Sequence, residues 1–151
     1  MTVRRWLAST PRRTFVLYPV CVVLLELLLR RGALVLDPFG LPLLIWGYVQ
    51  YRWSGIYRTQ HGGGGPGIDI PPTRIVDTGI YAYVRNPMYL GHLIFMTGLA
   101  VTFHSLAAVA LLIFHLWWFQ QRVLEDEQHM TALFGGSFAG YVRRVRRWGV
   151  I

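Results

Sequence analysis

Two short stretches of the chain carry polar side chains whose types suit the binding of a charged small molecule. The first, Arg85–Tyr89, reads Arg-Asn-Pro-Met-Tyr and opens an apolar run, and the acidic pair Asp126-Glu127 follows a later apolar run. Pro87 suits the first turn of a helix, where its missing N–H is harmless, and Asn86 suits the N-cap. A helix N-terminus beside an arginine attracts a carboxylate. Adjacent carboxylates accept hydrogen bonds from hydroxyl and ammonium groups.

Tyr89 in the first stretch, with Tyr81 and Tyr83 shortly before it, adds aromatic faces that attract cations. A carboxylate, an ammonium, a ribose and a sulfonium occur together in S-adenosylmethionine. These residue types therefore permit S-adenosylmethionine as a ligand, although they do not single it out.

The two stretches have to meet if they form one site, and the apolar sequence between them indicates how. Residues 86–121 form a run of 36 residues without Asp, Glu, Lys or Arg. As one helix this run would be about 54 Å long, which exceeds a bilayer core of about 30 Å. The polar residues Thr102, His104 and Ser105 are the natural turn. The run therefore predicts a helical hairpin whose open end brings the two polar stretches together.

The composition of the whole chain is that of a membrane protein. Of its 151 residues 54% are hydrophobic and 15% are charged, against about 25% charged in soluble domains. We predict a single all-α domain over residues 1–151, an integral membrane bundle of about four transmembrane helices. The predicted spans are 15–29, 38–53, 88–101 and 106–121, followed by a tail over 122–151.

Arginine sets the predicted orientation, since the chain has 15 arginines, no lysine and a net charge of +8. Four spans place thirteen arginines on one side of the membrane and two, Arg30 and Arg31, on the other. By the positive-inside rule both termini are then cytoplasmic, at the inner or plasma membrane. A nucleic-acid partner is not expected, because the arginines lie between apolar runs and not on a polar basic surface.

Two segments outside the spans have their own patterns. The glycine cluster of residues 61–67 predicts a flexible linker. In the tail, Phe138, Tyr141, Val145 and Trp148 recur at helical spacing among arginines. That pattern predicts an amphipathic C-terminal helix on the cytoplasmic membrane surface.

No metal site is expected. The chain has a single cysteine, Cys21, within an apolar run, and its histidines show no spacing typical of metal ligands.

The order of the polar motifs resembles the isoprenylcysteine carboxyl methyltransferase and phospholipid methyltransferase superfamily. The positions that carry the resemblance are, in chain order, Gly79, Tyr81, Arg85–Gly91, Asp126-Glu127, Phe134-Gly135, Tyr141, Val145 and Arg147. This chain departs from the superfamily pattern at Asn86, where a His is found in eukaryotic members, and at Asp126, where a Glu is usual. Met130 and Arg146 stand where Leu and Pro are typical.

The resemblance implies an S-adenosylmethionine-dependent methyltransferase that acts at the cytoplasmic membrane face. The acceptor would be small or lipophilic: a prenylcysteine-like carboxylate, a lipid amine or a thiol. The residues implied to surround the cofactor are Gly79, Tyr81, Arg85, Asn86, Pro87, Tyr89, Asp126 and Glu127. Arg147 is the implied catalytic residue, orienting an acidic acceptor.

Two other functions fit the membrane character of the chain. Glu26 lies within the first predicted span, and an intramembrane carboxylate indicates a small proton-coupled exporter. Since Arg30 follows four residues later, an ordinary i,i+4 ion pair explains Glu26 equally well. A noncatalytic membrane scaffold is the second alternative.

Overall fold

The structure, a computed structural model, describes residues 9–64 and 72–149. All regular elements formed by these residues are helices, and among them the only β-type pairing is an isolated bridge. The main helices are α1 (Tyr18–Leu29), α2 (Leu41–Gly62), α3 (Pro87–Phe103), α4 (Leu106–Phe134) and α5 (Gly136–Arg144). A turn of α-helix, Thr10–Arg12, and a π-helical stretch, Arg13–Leu17, lead into α1, and short 3₁₀ helices cover Pro38–Gly40 and Gly79–Ala82.

Two of the helices run well past the apolar segments from which they were predicted. The second continues to Gly62, and α4 continues through the acidic pair to Phe134. Residues 120–134 contain neither Gly nor Pro, so nothing in the sequence stops the helix. It ends at Gly135, whose φ of +52° is a left-handed conformation that glycine adopts readily at a helix end. The acidic pair therefore lies within α4, and the predicted tail is helical as far as Phe134.

The chain divides into two compact units, the first formed by residues 1–49 and 91–116 and the second by residues 50–90 and 117–151. In the first unit α2 and α3 approach closely at glycines. A Cβ atom on Gly47 would lie 2.5 Å from the backbone nitrogen of Phe95 and 2.7 Å from the carbonyl oxygen of Gly91. Small residues of this kind let helix backbones pack against each other, as in membrane bundles.

Ion pairs and hydrogen bonds of charged side chains in the first unit stabilise the turn between α3 and α4. Arg30 donates to Glu26 at 2.8 Å and to the carbonyl oxygen of His104 at 3.1 Å. The imidazole of His104 lies 2.9 Å from Asp37. These contacts satisfy carbonyl groups at the C-terminal end of α3 that the helix itself leaves unpaired.

In the second unit α5 buries its apolar face against the protein. Phe138 and Tyr141 of α5 are buried together with Val145. Val145 and Trp148, predicted on the same helical face, follow the end of α5 at Arg144. The three buried side chains pack on Ile75, Met130, Phe134 and Val142. The prediction that this face lies on the membrane is therefore wrong, because its side chains are already covered by α4 and by the segment before α3.

One helix of the described part is long and apolar enough to cross a bilayer. Within residues 9–64 and 72–149 this helix is Leu106–Phe134, and Pro87–Phe103 is a shorter apolar helix. Of the glycine cluster predicted as a linker at residues 61–67, His61 and Gly62 belong to α2, and residues 65–67 lie outside the described residues. Two of the counted arginines, Arg4 and Arg5, also lie outside them.

Candidate functional site

A cavity of about 290 Å³ lies in the second unit, between α2, α3, α4 and α5. Its volume is close to the lower end of the range for small-molecule sites. Its lining residues are Arg58, Pro72, Ile75, Val76, Tyr81, Arg85, Asn86, Pro87, Met88, Tyr89, Arg122, Asp126, Glu127, His129, Met130, Phe138 and Tyr141. Two stretches some forty residues apart in sequence thus contribute to one cavity.

Arg85 is the buried cation of the cavity. It stands two residues before the first residue of α3, and its side chain is 9% exposed. Its Nη1 lies 3.3 Å from Oε1 of Glu127. Neither Nε nor Nη1 has a hydrogen-bond partner within residues 9–64 and 72–149. Since buried guanidinium N–H groups are costly to leave unpaired, the site is suited to an anionic acceptor of hydrogen bonds.

Arg147 binds the other end of the same carboxylate. Its Nε donates to Oε1 of Glu127 at 3.0 Å and its Nη2 to Oε2 at 2.7 Å. These hydrogen bonds raise the pKa of Arg147 above its ordinary value. Arg147 does not itself line the cavity, and its guanidinium reaches the cavity only through the carboxylate of Glu127.

Residues 145–149, here called the C-terminal strap, lie along the entrance to α3. An isolated parallel bridge joins Val84 to Arg146, and the backbone N–H of Arg85 donates to the carbonyl oxygen of Arg146 at 3.0 Å. The Asn86 amide donates to the carbonyl oxygen of Arg147 at 3.3 Å. The indole of Trp148 donates to Gln120 at 3.0 Å. The strap therefore fixes the residues on both sides of Arg85.

Tyr89 connects α3 to α4 inside the cavity. Its hydroxyl donates to Oδ2 of Asp126 at 2.8 Å, and its ring lies 4.9 Å from that of Phe119 between centroids. Tyr89 and Asp126 are 37 positions apart in sequence. The hairpin thus places them in contact, as the sequence predicts.

Two further tyrosines hold the loop before α3 in place. The Tyr81 hydroxyl donates to the carbonyl oxygen of Ser54 at 3.3 Å, and the Tyr141 hydroxyl donates to the carbonyl oxygen of Tyr81 at 2.8 Å. Burial raises the pKa of both phenols above its ordinary value. Both therefore remain protonated donors at physiological pH and do not act as bases.

Gly79 is the one implied cofactor residue that the structure does not bring to the cavity. It has a φ of +58°, and a Cβ there would lie 2.6 Å from the ring of Tyr57. Gly79 is thus required by the turn and by the close approach of Tyr57. The other implied residues, from Tyr81 to Glu127, all line the cavity.

Three lining residues with ionisable side chains were missed from the sequence: Arg58, Arg122 and His129. Arg122 and His129 lie four residues before and three residues after Asp126. On a helix that spacing places all three side chains on one face, so extending α4 past residue 121 would have found them. Arg58 has no such signal, because nothing in the sequence shows that this part of α2 borders the cavity.

Glu26 forms the i,i+4 ion pair with Arg30 that the sequence analysis gave as the alternative to proton coupling. It is buried and bound to Arg30 within the first unit, and no residue of the first unit lines the cavity. Within residues 9–64 and 72–149 no group of three or more His, Cys, Asp or Glu side chains is placed to hold a metal ion.

Comparison with known proteins agrees with the arrangement of the motifs. The sequence profile of the phospholipid methyltransferase family matches residues 38–137. A protein-S-isoprenylcysteine O-methyltransferase of Schizosaccharomyces pombe is 35% identical over 72 residues, which are 47% of this chain and 30% of that protein. Protein-S-isoprenylcysteine O-methyltransferase B of Arabidopsis thaliana is 29% identical over 73 residues, 48% of this chain and 37% of that protein.

The fold also matches a solved structure, that of the eukaryotic intramembrane Ras methyltransferase named isoprenylcysteine carboxyl methyltransferase. The TM-score is 0.65 at 20% identity, over 92% of this chain and 52% of that one. This chain spans about half of that structure, and its aligned part covers less of the two curated relatives. The family profile covers about two thirds of the present sequence. The chain therefore belongs to the phospholipid methyltransferase family.

Proposed function

We propose that this chain transfers a methyl group from S-adenosylmethionine to a small or lipophilic acceptor at the cytoplasmic face of a membrane. The observation that carries the proposal is the buried, incompletely hydrogen-bonded guanidinium of Arg85 in a cavity that also contains two carboxylates. Family membership supports a methyltransferase activity, and the names of the relatives support a lipophilic acceptor such as a prenylcysteine carboxylate.

The residues of the cavity fit the polar groups of the proposed cofactor. Arg85 has N–H groups available for a carboxylate. Asp126 and Glu127 accept hydrogen bonds from an ammonium or from ribose hydroxyls. Tyr89, with its ring beside Phe119, offers an aromatic face to a sulfonium cation. When bound, the cofactor supplies an electrophilic methyl group.

The protein's own contribution is positioning and the exclusion of water. Arg147 and Arg85 fix the carboxylate of Glu127, and the Tyr89 hydroxyl fixes that of Asp126. Because these two carboxylates are already held in place, they need little reorganisation when a ligand binds. Well-oriented placement of two reactants lowers a barrier by about 7–11 kcal/mol.

We also propose that the chain is one integral membrane domain with four transmembrane spans and both termini in the cytoplasm. Large apolar side chains point outward from α1, α2 and α4, for example Leu28 (78% exposed), Ile45 (67%) and Ile113 (61%). Such a surface suits lipid. In a Cys21→Ala background, Ser137→Cys is expected to react with an impermeant maleimide only from the cytoplasmic side and Ala33→Cys only from the other.

Binding of S-adenosylhomocysteine to the detergent-purified protein tests the proposed function. Calorimetry is expected to show binding by the wild type and weaker binding by Glu127→Ala. Glu125→Ala is the matched control, since Glu125 is on the same helix, is exposed and does not line the cavity. A wild-type protein that gives neither heat nor a thermal shift at millimolar ligand would contradict the proposal. The exporter and scaffold alternatives would then gain support.

A further inference from the structure

His129 occupies an unusual position among the lining residues of the cavity. It lies on α4, three residues after Asp126, and its side chain is exposed at the edge of the cavity. No hydrogen bond, ion pair or ring contact joins it to any residue in 9–64 or 72–149. Its imidazole is therefore open both to a ligand in the cavity and to water.

The carboxylates and tyrosines that line the cavity each have a partner within the protein. Asp126 accepts from Tyr89, and Glu127 is held by Arg85 and Arg147. The three lining tyrosines all donate their hydroxyl protons to protein oxygens. A neutral imidazole is the usual base near neutral pH, and His129 is the one imidazole among the described residues that line the cavity.

Cations outnumber anions around this imidazole. The charged and titratable groups that share the cavity with His129 are Arg58 on α2, Tyr81 and Arg85 before α3, Tyr89 on α3, Arg122, Asp126 and Glu127 on α4, and Tyr141 on α5. Three arginines thus face two carboxylates. A reacting group that becomes negative when it loses its proton is stabilised in such surroundings.

Typical acidities decide which acceptor would use such a base. A carboxylic acid, with a pKa of about 4, is already ionised at neutral pH and needs none. An alkylammonium has a pKa of about 10.4, some four units above that of a typical imidazole at about 6.5. A thiol has a pKa of about 8.5, only about two units above, and neighbouring cations favour its thiolate form.

We propose that His129 takes the proton of a lipophilic thiol and that the cavity arginines stabilise the thiolate, so that this site methylates sulfur. The inference rests on the proposed function and specifies its acceptor. The S–H proton moves to the imidazole, and a thiolate lone pair forms the new S–CH₃ bond. The C–S bond of the sulfonium donor breaks, and its electron pair stays on the donor sulfur, giving two neutral thioethers. The imidazolium then releases its proton to water at the exposed edge.

Three acceptors of equal chain length separate the possibilities in lipid nanodiscs that contain the full chain: dodecanethiol, dodecanoate and dodecylamine, each with radiolabelled S-adenosylmethionine. Label is expected chiefly in the methyl thioether. His129→Gln is expected to lower the rate with the thiol about 100-fold near neutral pH, the lower end of general-base effects. Gln128→Ala, an exposed neighbour that does not line the cavity, is expected to leave the rate unchanged.

One further measurement does not depend on turnover with the cofactor. Dodecanethiol added to the cofactor-free protein is expected to give thiolate absorbance in the ultraviolet, and His129→Gln to give much less. A second measurement uses turnover: the rate of the wild type with the thiol is expected to fall at acid pH more steeply than that of His129→Gln.

Preferred methylation of dodecanoate or dodecylamine, or a wild-type rate and pH profile in His129→Gln, would overturn the inference. Binding of S-adenosylhomocysteine by both proteins in that case would leave the proposed function standing. Absence of such binding in the wild type would instead contradict the proposed function itself.

Discussion

Arg147 binds both carboxylate oxygens of Glu127, with Nε at 3.0 Å from Oε1 and Nη2 at 2.7 Å from Oε2. The two residues are 20 positions apart, on the C-terminal strap and on α4. Because Arg85 approaches the same Oε1, one carboxylate connects the strap, α4 and the entrance to α3. A substitution of Arg147 is therefore expected to affect the cavity, although Arg147 is not one of its lining residues.

Arg147→Met is expected to weaken S-adenosylhomocysteine binding by about 10- to 100-fold. This follows because hydrogen bonds to charged groups contribute about 1.5–3 kcal/mol. In turnover the effect should appear mainly in KM for the methyl donor, since Arg147 positions Glu127. Arg147→Lys should be intermediate, because lysine keeps the charge but not the two-pronged geometry.

Arg143→Met is the matched control for charge, since Arg143 is exposed on α5 and does not line the cavity. Equal losses of S-adenosylhomocysteine affinity in the Arg143 and Arg147 variants would show that binding depends on net charge near the membrane and not on the ion pair with Glu127.

Tyr89→Phe removes the hydroxyl that donates to Asp126 and keeps the ring beside Phe119. We expect a loss of about 1.5–3 kcal/mol of stability, the usual contribution of a hydrogen bond to a charged group. We also expect several-fold weaker S-adenosylhomocysteine binding, because Asp126 is then less well positioned. Thermal unfolding and calorimetry measure the two effects. Tyr83→Phe, at a side chain that is 79% exposed, should change neither. If Tyr89→Phe binds S-adenosylhomocysteine as the wild type does, Asp126 is not part of the proposed site.

Much of the cavity could be predicted because its parts are local sequence features joined by one simple fold element. The Pro87 helix start, the long uncharged run and the acidic pair together require a hairpin, and a hairpin places Tyr89 near Asp126. Residues that the hairpin itself positions, such as Arg85, Asn86 and Glu127, were found for the same reason.

What could not be predicted depends on long-range packing. Arg58 reaches the cavity from α2, and the sequence pattern does not show which turn of that helix borders it. The apolar face of α5 is equally suited to a membrane or to a protein core, and only the contacts with Ile75 and Met130 decide for the core. The fourth span was predicted to end at residue 121, whereas α4 continues to Phe134. Hydropathy marks where a segment leaves the lipid and does not mark where helical hydrogen bonding ends.

Glu26→Gln tests the exporter alternative against a structural role. Glu26 is bound to Arg30, and Arg30 also donates to the carbonyl oxygen of His104. We expect a lower melting temperature and unchanged S-adenosylhomocysteine binding, since Glu26 is remote from the cavity in sequence and does not line it. Proton-driven efflux of a cationic drug by the wild-type protein in vesicles, abolished by Glu26→Gln, would instead establish the exporter.

Gly47→Leu tests the close packing of α2 on α3. A Cβ at this position would lie 2.5 Å from the Phe95 nitrogen and 2.7 Å from the Gly91 carbonyl oxygen, both backbone atoms that cannot move aside. Overpacking of this kind costs about 1–3 kcal/mol or more, so the variant should unfold at a lower temperature in detergent.

Gly140→Ala is the matched control, because Gly140 lies within α5 and nothing is within 4 Å of its added Cβ. Removing a helical glycine there should add about 0.5–1 kcal/mol. A Gly47→Leu protein as stable as the wild type would show that α2 and α3 are not held as closely as described.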